Sequence, residues 1–259
     1  MRLAGINLHP VKSTAIRPVE RAYVERTGLR GDRAWMLVYD DGEAVTAREL
    51  PSLFGIRADL TEGGLRLEAD GHDPLEVTTP TRADAEATMF GRPRRPARSA
   101  SEADAWIADV TGRRLRLVHC GPEGLRPLSE RYPDGSARYQ DSSPVSIASM
   151  TSVTRLNEWM SEPLPVQRFR ANLVVEGAAA PFEEDGWTSV RIGDAVFTGV
   201  DPIDRCVMTT IDPVTHRKGK DPIRTLARHR RWDGKVWFAL HLVPTVEGEV
   251  AVGDAVHLG

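Results

Sequence analysis

Pro202-Ile-Asp-Arg-Cys206-Val-Met-Thr-Thr-Ile-Asp-Pro213 is the stretch around which the rest of the chain is organised. It holds Cys206, one of only two cysteines, with Asp201-Pro202 ahead of it and Asp212-Pro213 closing it. Val207, Met208, Thr209, Thr210 and Ile211 favour an extended backbone, which predicts a strand carrying a thiol beside Arg205. A thiolate is a soft-metal ligand or a nucleophile, and nearby positive charge lowers a thiol's pKa. Neighbours in a strand point to opposite faces, so Arg205 is expected to miss the sulfur. Two readings of Cys206 stand open on these residues alone. It is a reactive or metal-binding thiol, or it is a small buried hydrophobe, the commoner fate of a free cysteine.

Working outward, composition bounds the answer. The 259 residues suit one large domain or two moderate ones, and a hydrophobic content of 41% suits a globular protein. No apolar run approaches the ~20 residues needed to span a bilayer. The N-terminus, Met1-Arg-Leu-Ala-Gly-Ile-Asn7, lacks the apolar core of a signal peptide. A cytoplasmic location with reduced thiols is therefore expected, with no membrane partner. Cys120 and Cys206 are too few and too far apart for a zinc pattern or a C-x-x-C pair. A net charge of −3 excludes general nucleic-acid binding as an expectation. Arg92, Arg94, Arg95 and Arg98 cluster in a Pro-rich loop. Arg217, Lys218, Lys220, Arg224, Arg228, Arg230 and Arg231 follow the cysteine. Both clusters read as solvated faces or as sites for an anion.

In chain order the pattern is mostly β. Residues 2–9 alternate as a strand and Ile16–Val24 reads as a second. Gly28–Arg33 is a turn, and residues 34–39 and 44–48 flank Asp40-Asp41-Gly42 as a hairpin. Residues 56–60 and 65–67 bracket Glu62-Gly63-Gly64 as another, and Leu75–Thr78 continues the run. A helix is predicted from Ser101, with Asp104 placed for a capping box and Gly112 for the end. After the strand Leu115–Val118, residues 121–140 read as a long polar loop. Next come a short apolar run, Val145–Ala148, and a helix from Ser149, with Val153, Leu156 and Met160 on one face. The strand Leu173–Val175 and a hairpin over Gly193-Asp194 lead to the cysteine. Asp221-Pro222 has the residues of a helix start, with Asp as N-cap and Pro at N1. Strands return at 236–242 and 250–258.

Six short stretches, in order along nearly the whole chain, carry a resemblance. They are Pro10-Val-Lys-Ser13, Gly31-Asp-Arg-Ala-Trp35, Val45-Thr-Ala-Arg48, Tyr139-Gln-Asp-Ser-Ser-Pro144, Phe169-Arg-Ala-Asn172 and Arg205-Cys-Val-Met-Thr-Thr-Ile-Asp-Pro213. Together they resemble the MOSC family, in particular the amidoxime-reducing components and their bacterial relatives. The resemblance implies an α+β, mostly β fold. A β-barrel-like N-terminal domain, expected over 1–118, precedes a β-barrel MOSC domain with a few helices, expected over 119–259. It also implies the molybdenum cofactor, with Cys206 as the protein's ligand to molybdenum. Lys12, Ser13, Arg33 and Arg170 match family positions that contact the cofactor, as do Ser142, Ser143 and Asn172. Arg205 and Thr209 accompany the cysteine, and Arg168 adds a basic neighbour. The implied activity is reduction of small N-hydroxylated substrates, amidoximes and hydroxylamines.

Each of these residues also has a local reading. Lys12 and Ser13 fit a strand-end turn, and Arg33 fits a partner for Asp32. Ser142-Ser143-Pro144 fits a turn, and Arg48, Asp141 and Thr209 fit capping or cross-strand roles. Two departures from the family pattern matter. Some relatives carry an iron–sulfur domain, whereas two cysteines cannot hold a four-cysteine cluster. A reductase of this sequence is therefore expected to draw electrons from a separate flavin and/or iron–sulfur protein. The family's Phe-Arg-Pro-Asn is Phe-Arg-Ala-Asn here, which relaxes the backbone ahead of Asn172. The alternatives are a sulfur-transfer or cofactor-carrier module, since the family includes the C-terminal domain of molybdenum cofactor sulfurases, and a non-catalytic binding protein. Substrate selection is expected from loops such as 121–140.

Overall fold

The computed structural model describes residues 1–128, 132 and 135–259. Strand predominates among them, with three α-helices, α1 (Asp104–Thr111), α2 (Met150–Glu158) and α3 (Ile223–His229). None of the described helices is long and apolar enough to cross a membrane. Six strands carry the site: β1 (Arg2–Leu8), β2 (Trp35–Val38), β3 (Val145–Ser149), β4 (Leu173–Glu176), β5 (Ala195–Asp204) and β6 (Lys235–Val246). β1, β4, β3, β6 and β5 lie side by side in a nine-stranded sheet. Only β3–β4 among these pairs is parallel. α2 makes that crossover, as a parallel pair requires, and Ser149 caps it by accepting from the Thr151 N–H at 3.2 Å.

β2 starts a second sheet, which runs through Arg116–His119 and Arg95–Ser99 to Ala85–Ala87. Beside it, Arg57–Thr61, Gly64–Glu68 and Leu75–Thr78 form a three-stranded meander. Trp35, Leu53, Ile56, Leu65 and Leu117 are among the side chains of one buried core here. Leu3, Ile147, Leu173, Phe197 and Leu240 belong to another within the nine-stranded sheet. The two halves interlock. β1 and Arg17–Val19 sit in the nine-stranded sheet, and Arg21–Glu25 pairs with Gly248–Ala251. In the reverse direction Ile211, 2% exposed, is buried in the core of the N-terminal half.

Several local expectations are corrected. The single strand over Ile16–Val24 is two short strands in different sheets. The 34–48 hairpin shrinks to one bridge, Val38 to Ala44, because the Ala44 N–H donates to Thr88 O at 2.9 Å. The Ser101 capping box is absent. Ser101–Ala103 is a 3₁₀ turn, and α1 starts with no side-chain cap, although Gly112 closes it in the left-handed region as expected. α3 begins at Ile223, one residue later than the predicted start, and the Asp221 carboxylate accepts from the Thr225 N–H and hydroxyl. The 121–140 loop contains a 3₁₀ turn at Pro122–Gly124 and a pairing of Arg126–Pro127 with Ser136–Ala137. Its residues 129–131 and 133–134 lie outside the described residues.

The largest correction falls on the cysteine stretch. β5 stops at Asp204, and Val207–Thr210 is a 3₁₀ turn, not a strand. The Thr209 and Thr210 hydroxyls donate back to Cys206 O and Val207 O at 3.1 and 2.7 Å, which satisfies carbonyls that a strand would have paired. Burial of Ile211 in the neighbouring core holds the end of the turn. Tertiary packing thus overrides β-propensity.

Candidate functional site

Four chain segments converge on one cavity of about 380 Å³. The first is the turn after β1. The Lys12 N–H donates to Trp35 O at 2.8 Å and Ser13 turns the chain at φ 69°. This buries Lys12, whose Nζ donates to Tyr139 O at 2.7 Å and pairs with Asp141. The second is the turn ahead of β2. At Gly28, φ is 110° and a Cβ would come within 2.6 Å of Pro144 O, so only glycine lets this turn lie against the Ser143-Pro144 stretch. Arg33 follows at φ 46°. The third is the 3₁₀ turn Val166–Phe169, which ends on Arg170 at φ 53°. The fourth is the end of β5, which delivers Arg205 and Cys206.

Ser13, Arg33 and Arg170 are thus three non-glycine residues held in the left-handed region around one cavity. Such strain costs on the order of 1–3 kcal/mol each and persists only where its surroundings impose it. Asp32 does so for the second turn. Fully buried, it accepts from the His9 N–H at 2.8 Å, lies 3.2 Å from His9 Nδ1, and accepts from Arg33 Nη1 at 2.5 Å. Burial alone would raise its pKa. The Arg33 and His9 partners outweigh that and hold the carboxyl at about 2. Arg33 does pair with Asp32, as its local reading supposes. Its other nitrogen, Nη2, reaches Arg170 O at 3.3 Å and ties the second turn to the third.

All ten residues singled out from the sequence line the cavity: Lys12, Ser13, Arg33, Ser142, Ser143, Arg170, Asn172, Arg205, Cys206 and Thr209. They do different things there. The Asn172 amide is committed to the fold. Its Nδ2 donates to Asn7 O at 3.2 Å, and its Oδ1 accepts from the Ser146 N–H and hydroxyl at 3.2 and 3.1 Å. Thr209 shapes the cysteine turn. Arg205 misses the sulfur, although it lies past the end of β5 where strand alternation no longer applies, and donates instead to Phe238 O at 2.8 Å and Phe169 O at 3.2 Å. The cation beside Cys206 Sγ is Arg48, from the N-terminal half, whose Nη2 donates to it at 3.3 Å and to Asp141 at 2.9 Å. Arg48 and Asp141 therefore belong to the site. Arg168 lines it too but spends its donors on Thr209 O and Asp212.

The residues missed from the sequence are Thr46, Ser146, Asp204, Met208, Lys235 and His241. Thr46 and Met208 lie inside quoted motifs without having been singled out, and Asp204 lies in the cysteine stretch. Ser146, Lys235 and His241 sit in none, and His241 shows only the every-second-residue placement of β6. Its Nδ1 lies 2.6 Å from Ser143 Oγ. Burial, with Arg205 nearby, pushes its pKa down to about 4, so the ring is neutral at pH 7. Of the two basic clusters, Lys218 reaches the site, donating to Arg48 O. Arg92 donates to Asp141 O at 2.6 Å, and Arg98 pairs with Glu123.

The cavity's charge is lopsided. Among the described residues its lining holds seven cationic side chains and two carboxylates. Burial lowers the pKa of Lys12 against the pull of Asp141, and lowers Arg170 to about 9 with Arg33 adding to the effect. Burial would raise the Asp141 carboxyl, but Lys12 and Arg48 outweigh it and keep it ionised. Two donors are left over. Arg205 Nη2 is buried without a partner. The Arg170 guanidinium, 5.2 Å from the Phe54 ring, makes no side-chain hydrogen bond among the described residues. An unpaired buried donor such as Arg205 Nη2 is costly, and a bound anion would satisfy both guanidinium groups. At the open edge Cys206 offers an exposed free thiol. No group of three or more His, Cys, Asp or Glu among the described residues is placed to hold a metal ion. A metal at Cys206 would have to arrive with most of its ligands, as one chelated by a dithiolene does. An anionic, metal-bearing organic cofactor fits both ends of this donor set.

Comparison with known proteins gives two family matches. The MOSC N-terminal beta barrel domain matches residues 1–114, and the MOSC domain matches residues 134–257. The human mitochondrial amidoxime-reducing component 1 is 31% identical over 99% of this chain and 82% of that protein. The rat mitochondrial amidoxime reducing component 2 is 31% identical over 96% of this chain and 81% of that protein. A molybdenum cofactor sulfurase from Oryza sativa subsp. japonica is 30% identical over 96% of this chain, which spans 33% of that protein's length.

Proposed function

The chain belongs to the MOSC family, and from that premise we propose that it binds the molybdenum cofactor through Cys206 and reduces N-hydroxylated compounds of the amidoxime and hydroxylamine class. Electrons come from a separate flavin and/or iron–sulfur protein. The observation that carries this reading is the pairing of an exposed thiol with a cation-rich cavity that still holds a buried guanidinium donor, Arg205 Nη2, without a partner. In the reaction an amidoxime takes up two electrons and two protons, its N–O bond breaks, and an amidine and one water leave. When bound, the cofactor supplies a metal able to exchange the two electrons.

The chain's own residues bind and orient. Lys12, Arg33 and Arg170 supply positive charge for the anionic end of the cofactor from three different turns, each fixed by backbone strain or burial before any ligand arrives. The free Arg205 Nη2 adds a donor that needs no rearrangement. Ser142, exposed beside Ser143, offers a hydroxyl. Arg48 holds Cys206 Sγ by one hydrogen bond and is itself held by Asp141, so the thiolate needed as a ligand is stabilised from the N-terminal half.

Metal analysis is the test. Protein made in cells that synthesise the cofactor is expected to carry near-stoichiometric molybdenum and to turn over amidoximes with an artificial electron donor. Absence of molybdenum, under conditions that load a control enzyme, overturns the reading. A second reading rests on the same exposed thiol and on the sulfurase similarity: Cys206 carries sulfur as a persulfide, or the chain carries the cofactor without turnover. Retained cofactor with no reductase activity, and sulfur released from Cys206 by a reductant, would favour it.

A further inference from the structure

A small cationic cavity, of about 30 Å³, shares no lining residue with the first. The sheet that β2 starts contributes Met36, Ala87 and Arg95, and the residues joining two of its strands contribute Thr88, Met89, Arg92 and Pro93. The 121–140 segment closes the other side with Gly124, Arg126, Arg138 and Tyr139. Arg92 and Arg95 belong to the Pro-rich basic cluster of the sequence. Its other two members are spent elsewhere, Arg94 on Asp41 O and Arg98 on Glu123. No carboxylate lines this cavity among the described residues.

The bonds these groups make leave donors over. Arg92 Nη2 donates to Asp141 O at 2.6 Å, and Arg126 Nη2 donates to Ser142 O at 2.7 Å and Gln140 O at 3.2 Å. Arg95 Nη1 donates to Leu125 O at 3.1 Å. Of the four arginines only Arg138 has a carboxylate partner among the described residues, Glu25, on Nη2 at 2.6 Å. Arg92 Nη1, Arg126 Nε, Arg138 Nη1 and Tyr139 Oη are all buried with no hydrogen-bond partner among the described residues. Tyr139 is only 7% exposed. Burial, with Arg92 and Arg95 alongside, lowers the Arg126 guanidinium to about 10, which leaves it charged at pH 7. The three nitrogens can only donate. A water among them would bring two hydrogens of its own into a cationic space with apolar walls. An anion accepts from every donor and offsets the charge. Room of about 30 Å³ is that of about two waters, which admits one halide and excludes phosphate or sulfate.

We propose that this cavity binds a single anion of the halide class, held by Arg92, Arg126, Arg138 and Tyr139. Its place in the fold ties it to the first cavity. Arg92 and Arg126 hold three successive carbonyls, those of Gln140, Asp141 and Ser142, and these three residues line the first cavity. The anion offsets the repulsion between the two guanidinium groups and so braces that wall from behind. Neither Cys206 nor a cofactor takes part, so the site stands or falls apart from the reductase reading.

The test uses the full chain and bromide. Crystals grown in bromide are expected to show an anomalous peak in contact with Arg126 Nε and Tyr139 Oη. In solution, bromide titrated against gluconate at constant ionic strength is expected to raise the thermal midpoint. It should also slow amide exchange at Asp141 and Ser142. Tyr139→Phe removes only a hydroxyl that has no partner, so it is expected to fold, and Arg126→Gln is the second variant. Each is expected to raise the bromide dissociation constant about tenfold or more, the loss of one hydrogen bond to a charged group. A water in place of the peak, or a peak only among Lys12, Arg33 and Arg170, would overturn the proposal. So would a bromide effect on the midpoint that both folded variants retain in full. A Tyr139-dependent effect of sulfate as large as that of bromide would overturn the assignment to a halide-sized ion.

Discussion

Cys120 and Cys206 place the same thiol in two environments. Cys120 sits just after the strand Arg116–His119, buried among Met36, Met89, Val118 and Tyr139. Its Sγ faces Gly121 O at 3.6 Å, and burial pushes its pKa up to about 11. Cys206 is exposed at the lip of a cation-lined cavity with a guanidinium on its sulfur. Around Cys120 the packing is what a small hydrophobe needs. Around Cys206 three residues hold left-handed backbone, two guanidinium groups keep free donors, and a buried carboxylate is kept ionised. Such features cost stability and bring nothing to a core, whereas they suit a bound anion beside a soft ligand. The commoner fate of a free cysteine describes one of the pair and fails for the other.

The widest separation between the two should come from substitution. Cys206→Ser is expected to lower amidoxime turnover by a factor on the order of 10³ or more and to release molybdenum, read by metal analysis. Cys120→Ser should retain the metal and lose only about 1–2 kcal/mol of stability, from a buried hydroxyl. Matching molybdenum loss in both would erase the distinction. Next in size is Ile211→Ala, which empties a place in the N-terminal core and releases the end of the Cys206 turn. A loss of about 2–5 kcal/mol in denaturant unfolding is expected, with weaker molybdenum retention at unchanged Cys120 burial.

Alkylation sharpens the comparison further. At pH 8 a thiol with a pKa near 11 is ionised in about one molecule in a thousand. Iodoacetamide should therefore label Cys206 of the cofactor-free protein at least about a hundredfold faster than Cys120, as peptide mass analysis would show. The smallest effect expected is electrostatic. The folded pKa of Asp32 is depressed to about 2 from an ordinary value of 3.8. Its contribution is present above about pH 4 and is lost as pH falls toward 2, about 2 kcal/mol in all. Stability measured across that window should slope in the wild type and flatten in Asp32→Asn. An unchanged slope would mean that Asp32 does not anchor the Arg33 turn electrostatically.

Local chemistry was readable wherever a few adjacent residues decide the outcome. The turns over Glu62-Gly63-Gly64 and Gly193-Asp194 form as expected, since their residues supply the backbone freedom by themselves. Gly112 likewise closes α1. Motif order gave the ten lining residues and their family. The conformation of the cysteine turn was not readable. Its β-branched residues argue for a strand, and the decision lies with two threonine back-bonds and with a core that Ile211 enters from outside.

What the sequence determined by itself is an inventory: a mostly β chain, two separate cysteines, six motifs in order, and an excess of cationic groups within them. Only the tertiary structure decided which cation meets the sulfur. Arg205 is adjacent in the chain and turns away. Arg48 lies 158 positions away and donates to it. Likewise only the pairing of β5 with β6 brings His241 alongside the cysteine. The physical reason is the same in each case. Backbone carbonyls of Phe238 and Phe169 draw Arg205 away from its neighbour, while sheet pairing and buried cores join residues whose separation along the chain carries no signal of their contact.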